Sequence, residues 1–202
     1  MDVILLHGIW TRGWELYLLK RRLERAGLRA SIFSYPSISK SFSENVQNLA
    51  RFIEASGAKR VSLVGHSYGG LIVCGLVRAM AEGSIKTDVS IEKCIFIGSP
   101  LQGSSLARRL SNLLIVKMVT GKSLSCLKRG CTIPAGIVQT AMIAGVLNLG
   151  LGMFFIKGPG DGMVALADTQ APWINHHFVV CASHLGLLLS KKTSRICMDF
   201  LV

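Results

Sequence analysis

The 202-residue sequence predicts an α/β fold, a six-stranded, mainly parallel sheet flanked by helices on both faces. Two observations carry this expectation. Short apolar runs bounded by Gly, Pro or Ser alternate with stretches of helical periodicity, in the order expected of a doubly wound sheet. Half of the residues are apolar and only 17% are charged, enough apolar material to cover both faces of buried strands. The length suits one domain spanning residues 1–202.

Val3–Leu6 is a short apolar run ending at His7-Gly8 and reads as the first strand. A helix follows from Trp14 to Ala26, with Leu16, Leu19, Leu23 and Ala26 as its apolar stripe and Gly27 at its C-terminal cap. Ala30–Ser34 is the second strand, closed by Tyr35-Pro36. Ser41 and Glu44 have the spacing of a capping box, opening a helix that places Val46, Leu49, Ala50 and Ile53 on one face and ends at Gly57. Val61–Val64 is the third strand. Leu71–Met80 is apolar nearly all round, so this helix is expected to be central and buried. Cys94–Ile97 is the fourth strand, and residues 104–132 read as one or two short helices near the mouth of a site. Ile137–Ala144 and Phe178–Ala182 complete the sheet. A last helix, Leu187–Leu201, exposes Lys191, Lys192 and Arg195.

The net charge is +12, from 23 Lys and Arg against 11 Asp and Glu. Such an excess attracts anionic surfaces. The clusters at Lys20, Arg21, Arg22 and Arg25 and at Arg108 and Arg109 lack interleaved aromatics or any nucleic-acid motif. No nucleic-acid partner is expected. These clusters read as solvated helix faces, with weak contact to an anionic membrane as the alternative. The six cysteines show neither Cys-x-x-Cys nor zinc spacing, so no metal is expected. Cys74, Cys94 and Cys181 lie in apolar runs and read as core, whereas Cys126 and Cys131 could approach each other in a loop. The opening MDVILLHG has no basic segment and too short an apolar one for a signal peptide, which points to a cytoplasmic chain, at most peripheral at a membrane. Residues 132–156 carry no charge and are long enough to span a bilayer. Pro134, Gln139, Asn148 and the glycines among them favour a buried strand followed by an apolar loop.

The chemistry centres on Gly65-His66-Ser67-Tyr68-Gly69. This G-x-S-x-G pattern falls where strand gives way to helix, the context in which such a serine is a nucleophile on a sharp turn. A serine needs a base and an orienting acid. His184 follows the sixth strand on the serine's side of the sheet and is the expected base. His176 and His177 precede that strand, at the far end of about 16 Å of chain. His66 should point elsewhere, and His7 should shape the loop after the first strand. Asp161, in the glycine-rich GPGDGMV, is the expected acid, with Asp168 as its competitor. The order Ser67, Asp161, His184 is that of a hydrolase triad. Two backbone donors are needed for the developing oxyanion. Tyr68 N–H follows the nucleophile at a helix start, and Ile9 N–H is the second, with Trp10 next in line. Trp10 and Leu101 are also expected to touch substrate.

Taken in order, LLHGIW, SYPS, LVGHSYGG, IGSPLQGS, GPGDGMV and SHLGLLLS resemble the α/β-hydrolase superfamily, specifically its small lipase- and esterase-like members. The resemblance runs from Val3 to Leu201. It implies a minimal α/β-hydrolase fold, with Ser67, Asp161 and His184 as a triad and Ile9 and Tyr68 as oxyanion amides. It also implies a cofactor-free serine ester hydrolase working through an acyl-enzyme on a small acyl ester or lipid. Acyl transfer, thioester cleavage and non-catalytic lipid binding are the alternatives on the same frame. Two departures stand out: the first strand begins at residue 3, and Pro100-Leu101-Gln102-Gly103-Ser104 has Leu where such lipases often carry His. With no large lid domain, residues 104–156 are the candidate cover for the site.

Overall fold

The computed structural model describes residues 1–156 and 158–202, with all their side chains except those of Ile115, Lys117, Val119 and Leu151. Six strands form one sheet: β1 (Asp2–Leu6), β2 (Arg29–Phe33), β3 (Arg60–His66), β4 (Ser90–Ile97), β5 (Gln139–Gly145) and β6 (His176–Val180). Their spatial order is β2-β1-β3-β4-β5-β6, with every pairing parallel. All carboxyl ends therefore lie on one side. β2 and β6 are the edges, and β6 leaves His176, His177 and Val179 exposed.

Alternate residues of a strand face opposite sides of a sheet, and two cores result. On one face Ile4, Leu6 and Leu63 pack with α2 (Phe42–Ala55) and α3 (Tyr68–Ala81). On the other, Val3, Leu5 and Val64 pack with α1 (Tyr17–Arg25) and with two C-terminal helices described below. The expected stripe of α2 is buried, and its capping box forms: Ser41 Oγ accepts from Glu44 N–H, and Glu44 Oε2 accepts from Ser41 N–H at 2.8 Å. α3 buries every residue from Tyr68 to Val77, as an all-apolar helix must.

Four local expectations change. Ala26 is exposed as the C-cap of α1, and Leu28 takes the buried position beyond it. β6 begins two residues early, so His176 and His177 open the strand, still at its amino end. Cys181 then falls past the strand and is exposed rather than core. Ser190 caps a new helix with its side chain, accepting from Thr193 N–H, and thereby divides the C-terminal helix into α8 (Gly186–Leu189) and α9 (Lys191–Leu201); these labels follow α4–α7 below.

Residues 104–132 form three short helices, α4 (Ser105–Leu110), α5 (Leu114–Thr120) and α6 (Leu124–Arg129). α6 buries Cys126 and Leu127 beneath the α3 face. All six thiols are free, so Cys126 and Cys131 form no disulfide. The uncharged stretch splits into β5 and a loop containing one 3-10 turn, Leu151–Phe154, and its apolar side chains are largely exposed: Leu149 at 57% and Phe154 at 76%. Among the described residues no helix is long and apolar enough to cross a membrane. A short helix, α7 (Leu166–Thr169), bridges to β6.

α3 starts hard against the end of β1. A methyl group on Gly69 would stand 2.5 Å from the His7 carbonyl oxygen and 2.6 Å from that of Leu6. Both are backbone atoms and cannot move aside. We therefore expect Gly69→Ala to destabilise the fold by about 1–3 kcal/mol, read as a fall in Tm of roughly 2–4 °C per kcal/mol for a chain of this size.

Candidate active site

Ligands of doubly wound sheets bind beyond the strands' carboxyl ends, where strand order reverses. Here that point lies between β1 and β3. Ser67 sits on it. Its φ of 54° and ψ of −121° are disfavoured for a side-chain-bearing residue. The turn is held by Ser67 N–H donating to Ile97 O at 2.8 Å and by Gly70 N–H donating to Ser67 O at 3.1 Å. Trp10, at φ 69°, is the other non-glycine residue with positive φ among those described. Both line one cleft of about 300 Å³, together with Ile9, His66, His184 and Leu185. Paired backbone strain at one cleft is the pattern of a functional site.

His184 follows β6 and brings its ring to that cleft. Its Nδ1–H donates to Asp161 Oδ2 at 2.7 Å, which leaves Nε2 as the nitrogen available for exchange with a ligand. Asp161 is 1% exposed. Its Oδ1 accepts from Met163 N–H at 2.9 Å and Val164 N–H at 2.8 Å. Its carbonyl accepts from His184 N–H at 2.8 Å. A carboxylate so satisfied is fixed in one rotamer, and it fixes the imidazole in turn.

Asp168 lies elsewhere. Its Oδ2 accepts from Ser105 N–H at 2.7 Å and Ser105 Oγ–H at 2.8 Å, and Arg108 stands 3.5 Å from Oδ1. This carboxylate anchors the start of α4 and takes no part in the cleft. Of the remaining histidines, His177 faces Thr169 Oγ at 3.0 Å, and His176 packs on Phe178 and Phe200.

His7 is buried and shapes its loop. Its Nδ1–H donates to Gly8 O at 2.7 Å, its Nε2 accepts from Tyr35 N–H at 3.1 Å, and its ring stacks on Tyr35 with centroids 4.3 Å apart. Burial pushes its pKa down, in keeping with a neutral ring. Ile9, in that loop, lines the cleft. Trp10 N–H is already engaged, donating to Ser37 Oγ at 3.1 Å. Tyr68 N–H is the first of α3, where no acceptor exists within the helix. Trp10 is half exposed at the cleft wall. Leu101 is corrected: it is 2% exposed in the core beside Cys126 and does not line the cleft. The turn after β4 carries it inward, where Leu101 O accepts from Cys131 N–H at 3.0 Å.

Two further residues line the cleft: His66, which was expected to point elsewhere, and Glu15, which the sequence reading did not single out. His66 packs its ring on His184, centroids 4.7 Å apart, and donates Nε2–H to the His184 carbonyl at 3.2 Å. Burial, and then the neighbouring His184, push its pKa well down. Glu15 is 8% exposed and lines the cleft, its Oε1 accepting from Thr11 Oγ–H. Its signal was present: Glu15 stands four residues before Leu19, on the edge of a buried helical stripe. Of residues 104–156, Leu149 alone is among the described lining. Among the described residues no group of three or more His, Cys, Asp or Glu could hold a metal ion.

Known structures share this frame. The mature form of the Bacillus licheniformis lipase BlEst2 superposes with a TM-score of 0.81 at 18% identity, covering 100% of this chain and 91% of the lipase. A methylesterase, MES16 from Arabidopsis, gives 0.65 at 12% identity, covering 100% and 97%. The fold is that of the α/β-hydrolases. A curated relative, the carbendazim hydrolyzing esterase of Nocardioides sp. (strain SG-4G), is 27% identical over 122 residues, 56% of this chain and 48% of the relative. The chain thus spans about half the length of that relative. The sequence model described as a domain of unknown function, DUF7379, matches residues 7–150, from the His7 loop past Ser67 and β5; that is most of the chain, which therefore belongs to the DUF7379 family.

Proposed function

We propose that the chain is a serine ester hydrolase, with Ser67 as nucleophile, His184 as general base and Asp161 as the acid that orients it. One observation carries the reading: a strained serine at a strand–helix turn lines the same cleft as a histidine whose far nitrogen is held by a buried, fully bonded carboxylate. The printed names of the relatives, a lipase and two esterases, support the reaction class.

In this mechanism His184 Nε2 takes the proton of Ser67 as Oγ attacks the ester carbonyl. Asp161 stabilises the imidazolium without taking its proton. The carbonyl oxygen becomes an oxyanion facing Tyr68 N–H and Ile9 N–H, two donors worth about 3–4 kcal/mol each in the transition state. His184 then protonates the departing alcohol. Water, deprotonated by the same nitrogen, releases the acid from the acyl-enzyme. No step calls on a cofactor. The whole of 1–202 acts as one domain in this reading, and of the segment 104–156 the loop around Leu149 borders the substrate. Trp10 lines the same cleft.

The exposed apolar side chains Leu149, Met153 and Phe154, with a net charge of +12, favour a lipid-like substrate met at an anionic surface.

A fluorophosphonate probe should label the wild type and not Ser67→Ala; a wild type as unreactive as the variant would end the proposal. Asp161→Asn should lower kcat on the order of 10³–10⁴-fold by allowing the wrong imidazole tautomer. Asp168→Ala should instead leave kcat within a few-fold while costing about 1–3 kcal/mol of stability. Equal kinetic losses for the two would assign the acid wrongly. Vesicles containing phosphatidylserine should sediment the protein at low salt and release it at high salt; no binding to them would remove the membrane surface from this picture.

A further inference from the structure

We propose that the cleft selects esters carrying a hydrogen-bond donor, an ammonium or a hydroxyl group, on one limb, and that Glu15 receives that donor. The reaction in this proposal rests on the hydrolase reading above; the binding does not.

Glu15 has no part in the triad, yet it lines the cleft of Ser67 and His184. Thr11 satisfies Oε1. Oε2 is buried and accepts no hydrogen bond, and no Lys or Arg pairs with this carboxylate among the described residues. His7 is not its counter-ion. With Nδ1–H on Gly8 O and Nε2 accepting from Tyr35 N–H, that ring is neutral. Leaving a buried acceptor unfilled is costly, and more so for a charged one.

A second unfilled acceptor lines the same cleft. His66 gives its Nε2–H to the His184 carbonyl, so Nδ1 carries the lone pair, and Nδ1 is buried with no partner. Ile9, Leu149, Met163 and Leu185 make the rest of the wall largely apolar. Both unpartnered buried side-chain atoms of the described cleft lining are thus acceptors, and what they lack is a donor. An alkyl ester cannot supply them, whereas an amino or hydroxy limb can. Charge favours the amine. A bound ammonium also brings positive charge into the cleft in which the oxyanion forms at Ser67. Buried acceptors left unpaired discriminate strongly against ligands that lack the donor.

The test uses the Ser67→Ala protein, which leaves esters intact, titrated calorimetrically with 4-aminobutyl, 4-hydroxybutyl and pentyl butanoate. These differ in one terminal group. The amino ester should bind at least tenfold more tightly than the pentyl ester. Adding Glu15→Gln, which keeps the shape and an acceptor for Thr11, should remove most of that preference. A hydroxy ester that matches the amine would assign the preference to hydrogen bonding, and one that lies between would add charge; both support the proposal. Equal affinity for all three, or a preference unchanged in Glu15→Gln, would overturn it. Wild-type turnover of the same esters is read separately. Selective binding without hydrolysis would sink the hydrolase reading and leave the donor site standing.

Discussion

The turn between β3 and α3 is the constraint on which the cleft depends. Ser67 occupies a backbone region that costs roughly 1–3 kcal/mol, and three neighbours hold it there. β4 contributes the Ile97 carbonyl that takes its N–H. β1 contributes the carbonyls of Leu6 and His7, against which Gly69 closes with no room for a methyl group. Gly65 meets the backbone of Gly70 across the turn, where a Cβ would stand 2.5 Å from it. The strain is therefore set by the register of three adjacent parallel strands. A slip of one residue in any of them would change the height of the serine above the sheet.

The chain uses its two carboxylates on the β5–β6 connection for different ends. Asp161 and Asp168 are seven residues apart, similarly buried and each bonded to backbone N–H groups. What separates them is the partner of the second oxygen. Asp161 turns Oδ2 to an imidazole, whereas Asp168 holds Ser105 at the start of a helix through Oδ2 and turns Oδ1 to Arg108. One orients a ring in the cleft. The other ties α4 to α7 across sixty-three residues of sequence, and so keeps the segment after β4 from wandering over the site.

Elements with strong local signals were legible from sequence. The capping box at Ser41 and Glu44, the all-apolar run of α3 and the serine between two glycines each state their structure within a few residues. Asp161 and His184 were legible through strand polarity, since only residues after carboxyl ends can meet. The misreadings share a different cause. Leu101 was expected at the substrate and Cys181 in the core, but a chain leaving a sheet changes direction in one or two residues. Leu101 turned inward and Cys181 outward. Ala26 continued the helical period past the point where the cap ends it. Glu15 was missed, and His66 was read as pointing elsewhere, because each matters through an atom that lacks a partner, and no local pattern reports a missing partner.

The position of β6 has a consequence for how the proposed activity would be lost. β6 is an edge strand with three exposed side chains, and the segment just beyond it carries His184, bonded twice to Asp161. Ser67, by contrast, follows β3, which has a neighbour on each side. Elements open individually, the weakly covered ones first. Fraying along the β6 edge would carry off the imidazole and its carboxylate as one unit while the serine stayed seated over an intact sheet. For the proposed hydrolase, inactivation on warming would then be a sub-global event, with the site failing below the temperature at which the fold does.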